Sequence, residues 1–141
     1  MQAQLIDFVG NHVILFAALG VILGLLTYNL VLGDRGAVEP TAATTIMNRK
    51  DAAVIDVRPA ADFEKGHVIN AVNIPMNGFK KQTGVLNKYK DKAVIIVCRS
   101  GSQSQAACQL LRKAGFEEVY NLKGGVLAWE NANLPLTRKK R

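Results

Sequence analysis

The chain has 141 residues, of which 49% are hydrophobic and 21% charged, and 18 basic against 11 acidic side chains give a net charge of +7. This length allows one ordinary domain and little else, and the chain is too apolar to be disordered. The two cysteines are too few for the disulfide framework of a small secreted protein. Together with the two histidines they show no zinc-ligand spacing, so we expect no metal site.

The first element along the chain is a long stretch without charge. Residues 8–33 contain no Asp, Glu, Lys or Arg, and within 13–32 only Thr27, Tyr28 and Asn29 interrupt an apolar run. Twenty residues of helix extend for about 30 Å, the thickness of the hydrocarbon core of a bilayer. We therefore predict a transmembrane helix at about 12–32, within an N-terminal segment 1–33.

Two other interpretations of this stretch are weaker. A buried core helix is disfavoured because the run is apolar on all sides and the rest of the chain is too small to enclose it. A cleaved signal peptide is disfavoured because residues 1–12 contain no Lys or Arg and no clear cleavage site follows. An uncleaved transmembrane helix remains the favoured interpretation.

The basic residues near this helix predict its orientation. None precedes it, whereas Arg35, Arg49 and Lys50 follow within about 17 residues of its end. Since basic residues stay on the cytoplasmic side, we expect a single-pass protein of the inner (cytoplasmic) membrane with its C-terminal domain in the cytoplasm. The linker at 34–39 is short: together with Gly33 it has seven residues, which reach at most about 25 Å, so the domain is expected close to the membrane surface.

The rest of the chain alternates between strand and helix patterns. Strands are predicted at 53–57, 71–74, 93–97 and 118–122, and helices at 40–48, 60–65, 102–114 and from 124 to about 131. The polar residues 76–92 are predicted to be a loop with one surface helix. This alternation predicts the α/β class with a parallel sheet, in a domain that covers 40–136 and is followed by a basic tail at 137–141.

One cysteine lies where such folds bind ligands. Cys98 directly follows the apolar strand Ala-Val-Ile-Ile-Val, and a loop with Arg99 and several serines leads from it into a helix. The carboxyl end of a central parallel strand is the usual ligand-binding edge. Loop N–H groups, the helix N-terminus and Arg99 would all favour a thiolate over a thiol there. Cys108, on the flank of the helix's apolar face, is by contrast expected to be an inert core cysteine.

Four blocks of sequence resemble the rhodanese family of sulfurtransferases, in its single-domain form with an N-terminal membrane anchor. They are Val-Ile-Asp-Val-Arg at 54–58, Phe-Glu-Lys-Gly-His-Val-Ile-Asn-Ala-Val-Asn-Ile-Pro at 63–75, Cys-Arg-Ser-Gly-Ser-Gln-Ser at 98–104, and Tyr-Asn-Leu-Lys-Gly-Gly at 120–125 leading to Ala-Trp at 128–129. The resemblance covers about residues 40–136. It implies a five-stranded parallel sheet between helices.

The resemblance also implies a mechanism. Cys98 would take sulfane sulfur from thiosulfate or a persulfide donor, hold it as a cysteine persulfide, and pass it to a thiophilic acceptor such as cyanide or a thiol. The implied substrate-binding residues are Arg99, Ser100, Gly101, Ser102, Gln103 and Ser104. The implied supporting residues are Asp56, Arg58 and Lys123. The family's Gly-His turn implies a packing and hydrogen-bonding role for His67, and no cofactor is implied.

Two positions in the loop bear on the substrate. Many family members carry Arg at the fifth place after the cysteine, where this chain has Gln103, so thiosulfate is expected to be a poorer donor than a neutral or protein persulfide. The related cysteine phosphatases need Arg at the sixth place to hold the transferring phosphoryl group. This chain has Ser104 there, which disfavours phosphatase activity.

A second function is compatible with the sequence. The domain could be a docking module that binds a membrane partner, for instance machinery that inserts or translocates proteins. The anchor, a charge of about +8 on residues 34–141 and the basic end of the chain support this alternative. Nucleic acid is not an expected partner, because the basic residues are scattered and no aromatic stacking surface accompanies them. The cysteine loop favours catalysis.

Overall fold

The computed structural model describes residues 1–32 and 36–138, which fall into two compact units divided between residues 35 and 36. Among the predicted features, residue 33 of the N-terminal segment, residues 34 and 35 of the linker (Arg35 among them) and positions 139–141 of the basic tail lie outside the described residues.

The N-terminal unit consists of two helices, α1 (Gln2–Asn11) and α2 (Val13–Leu32). A kink at His12 separates them, where the His12 ring nitrogen Nδ1 lies 2.9 Å from the carbonyl oxygen of Phe8. Residues Val13–Val31 of α2 are long and apolar enough to cross a membrane, and none of this span is buried within the unit. The predicted apolar helix is therefore present, and the absence of burial argues against a core helix. Helix α1 was not predicted from the sequence.

The C-terminal unit is an α/β domain, as predicted. Its strands are β1 (Ala37–Val38), β2 (Ala53–Asp56), β3 (Val72–Asn73), β4 (Val94–Val97) and β5 (Val119–Leu122). Its helices are α3 (Pro40–Lys50), α4 (Ala60–Lys65), α5 (Phe79–Gln82), α6 (Ser102–Lys113) and α7 (Gly125–Asn131), with a 3-10 helix at Thr83–Tyr89. All strand pairs are parallel, and the order across the sheet is β1-β5-β4-β2-β3.

Both faces of the sheet carry an apolar core. Because successive side chains of a strand point to opposite faces, Ile96 packs with Leu111 of α6 on one side, while Ile95 packs with Trp129 of α7 on the other. All four residues of β4 are buried, which explains the continuous apolar run in its sequence. Strand β4 lies at the centre of the sheet, and its carboxyl end leads directly to Cys98.

The fifth strand of the sheet was not predicted from residue patterns. Ala37 and Val38 fall in the segment predicted as a linker, yet they pair with β5 through hydrogen bonds from Asn121 N to Gly36 O (2.8 Å) and from Lys123 N to Val38 O (2.9 Å). A two-residue strand is too short to show alternation. Its conformation depends on the free edge of β5, which is remote in sequence.

The predicted tail also begins later than expected. Thr137 pairs with His67 through two backbone hydrogen bonds of 2.9 and 2.8 Å, so this residue is part of the domain. His67 is buried, and its ring is stacked on Phe63 with centroids 3.8 Å apart. These contacts agree with a packing role for this histidine.

Two exposed ion pairs link the elements at the amino ends of the central strands. Lys50 Nζ lies 2.7 Å from Glu118, and Lys92 Nζ lies 2.6 Å from Asp51. The hydrogen bond from each lysine lowers the pKa of its carboxyl partner. These pairs therefore stabilise the fold at a pH above the ordinary carboxyl pKa. The stabilisation is lost as the pH falls through the lowered pKa of each carboxyl group. Solvent keeps both contributions small.

Candidate active site

The loop between β4 and α6 surrounds the sulfur of Cys98. Cys98 directly follows β4, Gly101 adopts a positive φ of 94°, and α6 begins at Ser102. This tight turn brings the backbone N–H of Gly101 back to the sulfur at 2.9 Å. The first N–H groups of α6 have no partners within the helix, so the turn and the helix start both favour an anion at this place.

The sulfur lies at the boundary between the core and a pocket. Cys98 is only 1% exposed and belongs to the apolar core between the sheet and α6. It also lines a pocket of about 320 Å³ together with Arg58, Pro59, Asp62, Arg99, Ser100, Ser102 and Gln103. Cys98 therefore belongs both to the core and to the wall of this pocket.

Ser104 and Asn121 connect the sulfur to the far side of the loop. The Ser104 hydroxyl lies 3.1 Å from Cys98 Sγ and donates a hydrogen bond to Oδ1 of Asn121. The amide nitrogen of Asn121 donates in turn to the carbonyl oxygen of Gly101 at 2.9 Å. With the Gly101 N–H on the sulfur, these contacts form a closed ring of hydrogen bonds. The ring holds the Gly101 backbone so that its N–H faces Cys98.

Helix α7 supports the loop from the opposite side. The N–H groups of Val126 and Leu127 donate to the carbonyl oxygens of Cys98 (2.9 Å) and Arg99 (3.2 Å). This approach requires glycine at position 125, where φ is +60° and an added Cβ would lie 2.4 Å from Cys98 O. Gly125 of the sequence block is thus explained by close contact between two backbones, and Gly124 has a positive φ of 72° of its own.

The supporting pair Asp56 and Arg58 is buried beside the pocket. Asp56 is completely buried, and it accepts hydrogen bonds from Nε and Nη2 of Arg58, the shortest of them 2.7 Å long. Nη2 also donates to the carbonyl oxygen of Gly66 at 2.7 Å. The guanidinium is thus occupied by protein partners, which suits a role in bracing the pocket wall.

The structure arranges two predicted site residues differently from the expectation. Ser104 is fully buried and faces Cys98 and Asn121, so it supports the sulfur from behind and does not line the pocket. Lys123 does not line it either, because its Nζ pairs with Glu39 at 2.7 Å, a contact that raises the pKa of the lysine. Arg99, Ser100, Ser102 and Gln103 do line the pocket, and Gly101 contributes its N–H.

Asn121 is the residue that sequence reasoning missed as part of the site. It lies in β5, 23 positions after Cys98 in the sequence, and is brought beside the loop by the pairing of β4 with β5. An asparagine in the middle of an otherwise apolar, buried strand is the one signal that the sequence contained, because a buried amide requires hydrogen-bond partners.

The fold and the site define an α/β protein with a buried cysteine in the loop that follows the central strand, its sulfur 2.9 Å from the backbone nitrogen of Gly101. The model of the rhodanese-like domain matches residues 39–132. The uncharacterized protein YibN of Escherichia coli is 39% identical over 97% of this chain and 99% of its own length. The thiosulfate sulfurtransferase GlpE of Vibrio cholerae is 37% identical over 70% of this chain and 92% of its own.

A solved structure supports the same assignment. The rhodanese-like domain protein of Staphylococcus aureus superposes with a TM-score of 0.63 at 25% identity, over 74% of this chain and 98% of its own. The chain belongs to the rhodanese-like sulfurtransferase family.

Proposed function

We propose that this protein is a membrane-anchored sulfurtransferase that carries sulfane sulfur on Cys98. The observation that carries the proposal is the setting of Cys98, a residue that lines a pocket and whose sulfur accepts the Gly101 N–H at 2.9 Å within the ring completed by Ser104 and Asn121. The Gly101 N–H donates to Sγ and therefore favours negative charge on the cysteine sulfur. The relative named thiosulfate sulfurtransferase adds support for the donor class.

The reaction divides into two displacements on sulfur. In the first, the Cys98 thiolate attacks the outer sulfur of thiosulfate, the sulfur–sulfur bond breaks, and sulfite leaves with the electron pair. In the second, cyanide or a thiolate attacks the outer sulfur of the persulfide and the electron pair returns to Cys98. No external oxidant is needed. Arg99 and the loop N–H groups would hold the anionic donor, and Asp56 and Arg58 would support the pocket wall.

The proposal is tested by the mass of the protein after treatment with thiosulfate. One added sulfur on the peptide that contains Cys98, removed again by cyanide with formation of thiocyanate, is the expected result. An unmodified Cys98 after incubation with both thiosulfate and a persulfide donor would contradict the proposal.

The docking function remains the alternative. It rests on the apolar helix α2 and on the positive charge of the domain. The sulfurtransferase is favoured because a docking module has no need of a thiol bordered by a pocket and contacted by a backbone N–H. The alternative would be favoured if Cys98 accepts no sulfur and if the chain and its Cys98→Ser variant bind a membrane partner with the same affinity.

Gln103 lines the pocket where many family members carry a basic residue, and its replacement tests the donor preference. Gln103→Arg adds one positive charge at the pocket, so we expect KM for thiosulfate to fall about threefold. The gain should shrink at high salt, since the added charge is screened. Gln109→Arg places the same charge further along α6, away from the pocket, and should leave KM unchanged. An equal effect of both variants would show that the position of the charge is irrelevant.

The membrane topology is part of the proposal. We place α2 across the inner membrane with the rhodanese-like domain in the cytoplasm, because Arg35, Arg49 and Lys50 all follow the helix. Protease added outside intact spheroplasts should leave the domain uncut, and it should digest the domain once the membrane is permeabilised. Digestion before permeabilisation would reverse the orientation, and release of the protein by carbonate washing would exclude the anchor.

A further inference from the structure

One carboxylate lines the pocket at Cys98. Asp62, in the first turn of α4, is the single acidic residue of the pocket wall among the residues that the structure describes. It also lines an adjoining pocket of about 300 Å³, together with Lys65. The two displacements on sulfur do not use this side chain. A negative charge beside a site for anionic donors therefore bears on which donors the pocket accepts.

The charges that border the pocket at Cys98 sum to zero. Arg58 adds no net charge, because it forms a buried salt bridge of 2.7 Å with Asp56. Arg99 is exposed and contributes one positive charge, which the carboxylate of Asp62 cancels. Lys65 lies 3.5 Å from Asp62, but its side chain is 79% exposed, so solvent weakens this surface pair and the carboxylate keeps its influence on the pocket. The pocket thus has no excess of positive charge for a dianion.

The pocket is small enough for this carboxylate to act on any donor inside it. A sphere of 320 Å³ is about 8.5 Å across, which is less than the Debye length of about 10 Å at 0.1 M salt. A donor in the pocket is therefore repelled by Asp62 without full screening. The repulsion is proportional to the charge of the donor, so it is twice as large for a dianion as for a monoanion.

We propose that Asp62 is a specificity-determining residue, which disfavours doubly charged sulfur donors such as thiosulfate relative to donors with one negative charge. This inference rests on the proposed sulfurtransferase function and adds the donor charge that the pocket selects. The carboxylate of Asp62 raises the free energy of a bound dianion and takes no part in the displacement at Cys98. An amide at the same position keeps the shape of the side chain and removes the repulsion.

Two donors of the same chemistry and different charge test this selection. Thiosulfate carries two negative charges, whereas the methanethiosulfonate anion carries one, because a methyl group replaces a charged oxygen. With either donor the Cys98 thiolate attacks the outer sulfur, the sulfur–sulfur bond of the donor breaks, and its electron pair leaves on sulfite or on methanesulfinate. Cyanide is the common acceptor. Since loading and discharge are separate displacements, kcat/KM for the donor reports the loading step alone.

The measurement uses the full-length chain in detergent at low salt. We expect Asp62→Asn to raise kcat/KM about fourfold for thiosulfate and about twofold for methanethiosulfonate, because the repulsion that is removed is twice as large for the dianion. The ratio of the two values therefore rises about twofold, and it should return toward that of the unmodified chain at about 0.5 M salt. Asp62→Glu keeps the negative charge and should keep the original ratio.

Glu64→Gln is the matched control. Glu64 is exposed on the same helix and lines neither pocket, so the same loss of charge there should leave the ratio unchanged. Equal changes for the two donors in Asp62→Asn, or equal effects of the Asp62 and Glu64 variants on the ratio, would overturn the selection by charge. An unmodified chain that loads sulfur on Cys98 from neither donor would instead refute the proposed function, and this inference with it.

Discussion

Cys98→Ser is expected to abolish sulfur transfer, with a loss of at least about a thousandfold in turnover and no persulfide detectable by mass. A serine oxygen is a far weaker nucleophile toward sulfur than a cysteine sulfur, and it cannot carry a sulfur atom through the second displacement. The fold should persist, because the substitution is nearly isosteric and the Gly101 N–H and the Ser104 hydroxyl can still bond to the new oxygen. Thiocyanate formation and the mass of the active-site peptide measure the two effects.

The matched control for this variant is the second cysteine of the domain. Cys108 is completely buried in α6 and does not line the pocket, so Cys108→Ala should keep both the added sulfur and most of the turnover. Alanine is preferred to serine there because it places no hydroxyl in the core. Activity retained in Cys98→Ser, or sulfur found on Cys108, would refute the assignment of the nucleophile.

Arg58→Ala is expected to produce the largest loss of stability, about 3–5 kcal/mol in the free energy of unfolding. The variant leaves the fully buried carboxylate of Asp56 without its guanidinium partner and removes the donor to Gly66 O. Urea unfolding followed by circular dichroism gives the change in free energy. The loss would be much smaller if Arg58 contributed only an exposed surface charge.

A double variant separates the cost of the unpaired charge from other effects. In Asp56→Asn/Arg58→Met the buried carboxylate is absent, so we expect the double variant to be more stable than Arg58→Ala. If the two lose the same stability, the defect arises from lost packing around Arg58 and not from the isolated carboxylate. Persulfide loading on the double variant then reports whether this pair also shapes the pocket.

Much of the domain follows from local signals. The apolar run at 93–97 predicted the central strand, which the structure has at Val94–Val97, and the helix predicted at 60–65 is observed as Ala60–Lys65. The parallel α/β class follows from the alternation of these patterns, and the order of the motifs indicated the family, which the match over residues 39–132 confirms. These features depend on residues that are neighbours in the chain, so periodicity and composition report them directly.

Local sequence patterns did not predict the features that depend on partners distant in the chain. Ala37 and Val38 form a strand only because β5 has a free edge beside them, and Asn121 reaches the loop only because β5 lies next to β4. In the same way, Lys123 turns toward Glu39, which lies 84 positions earlier in the chain.

The sequence by itself determined the class of fold, the family, the apolar helix and the position of Cys98 at the end of a central strand. Only the tertiary structure decided which groups surround the sulfur. The Gly101 N–H donates to it, Ser104 lies between it and Asn121, and the N–H of Val126 in α7 binds the carbonyl oxygen of Cys98. The reason is physical, since a hydrogen bond or a cavity wall is set by distances in space, and residues far apart in the chain acquire those distances only when the sheet forms.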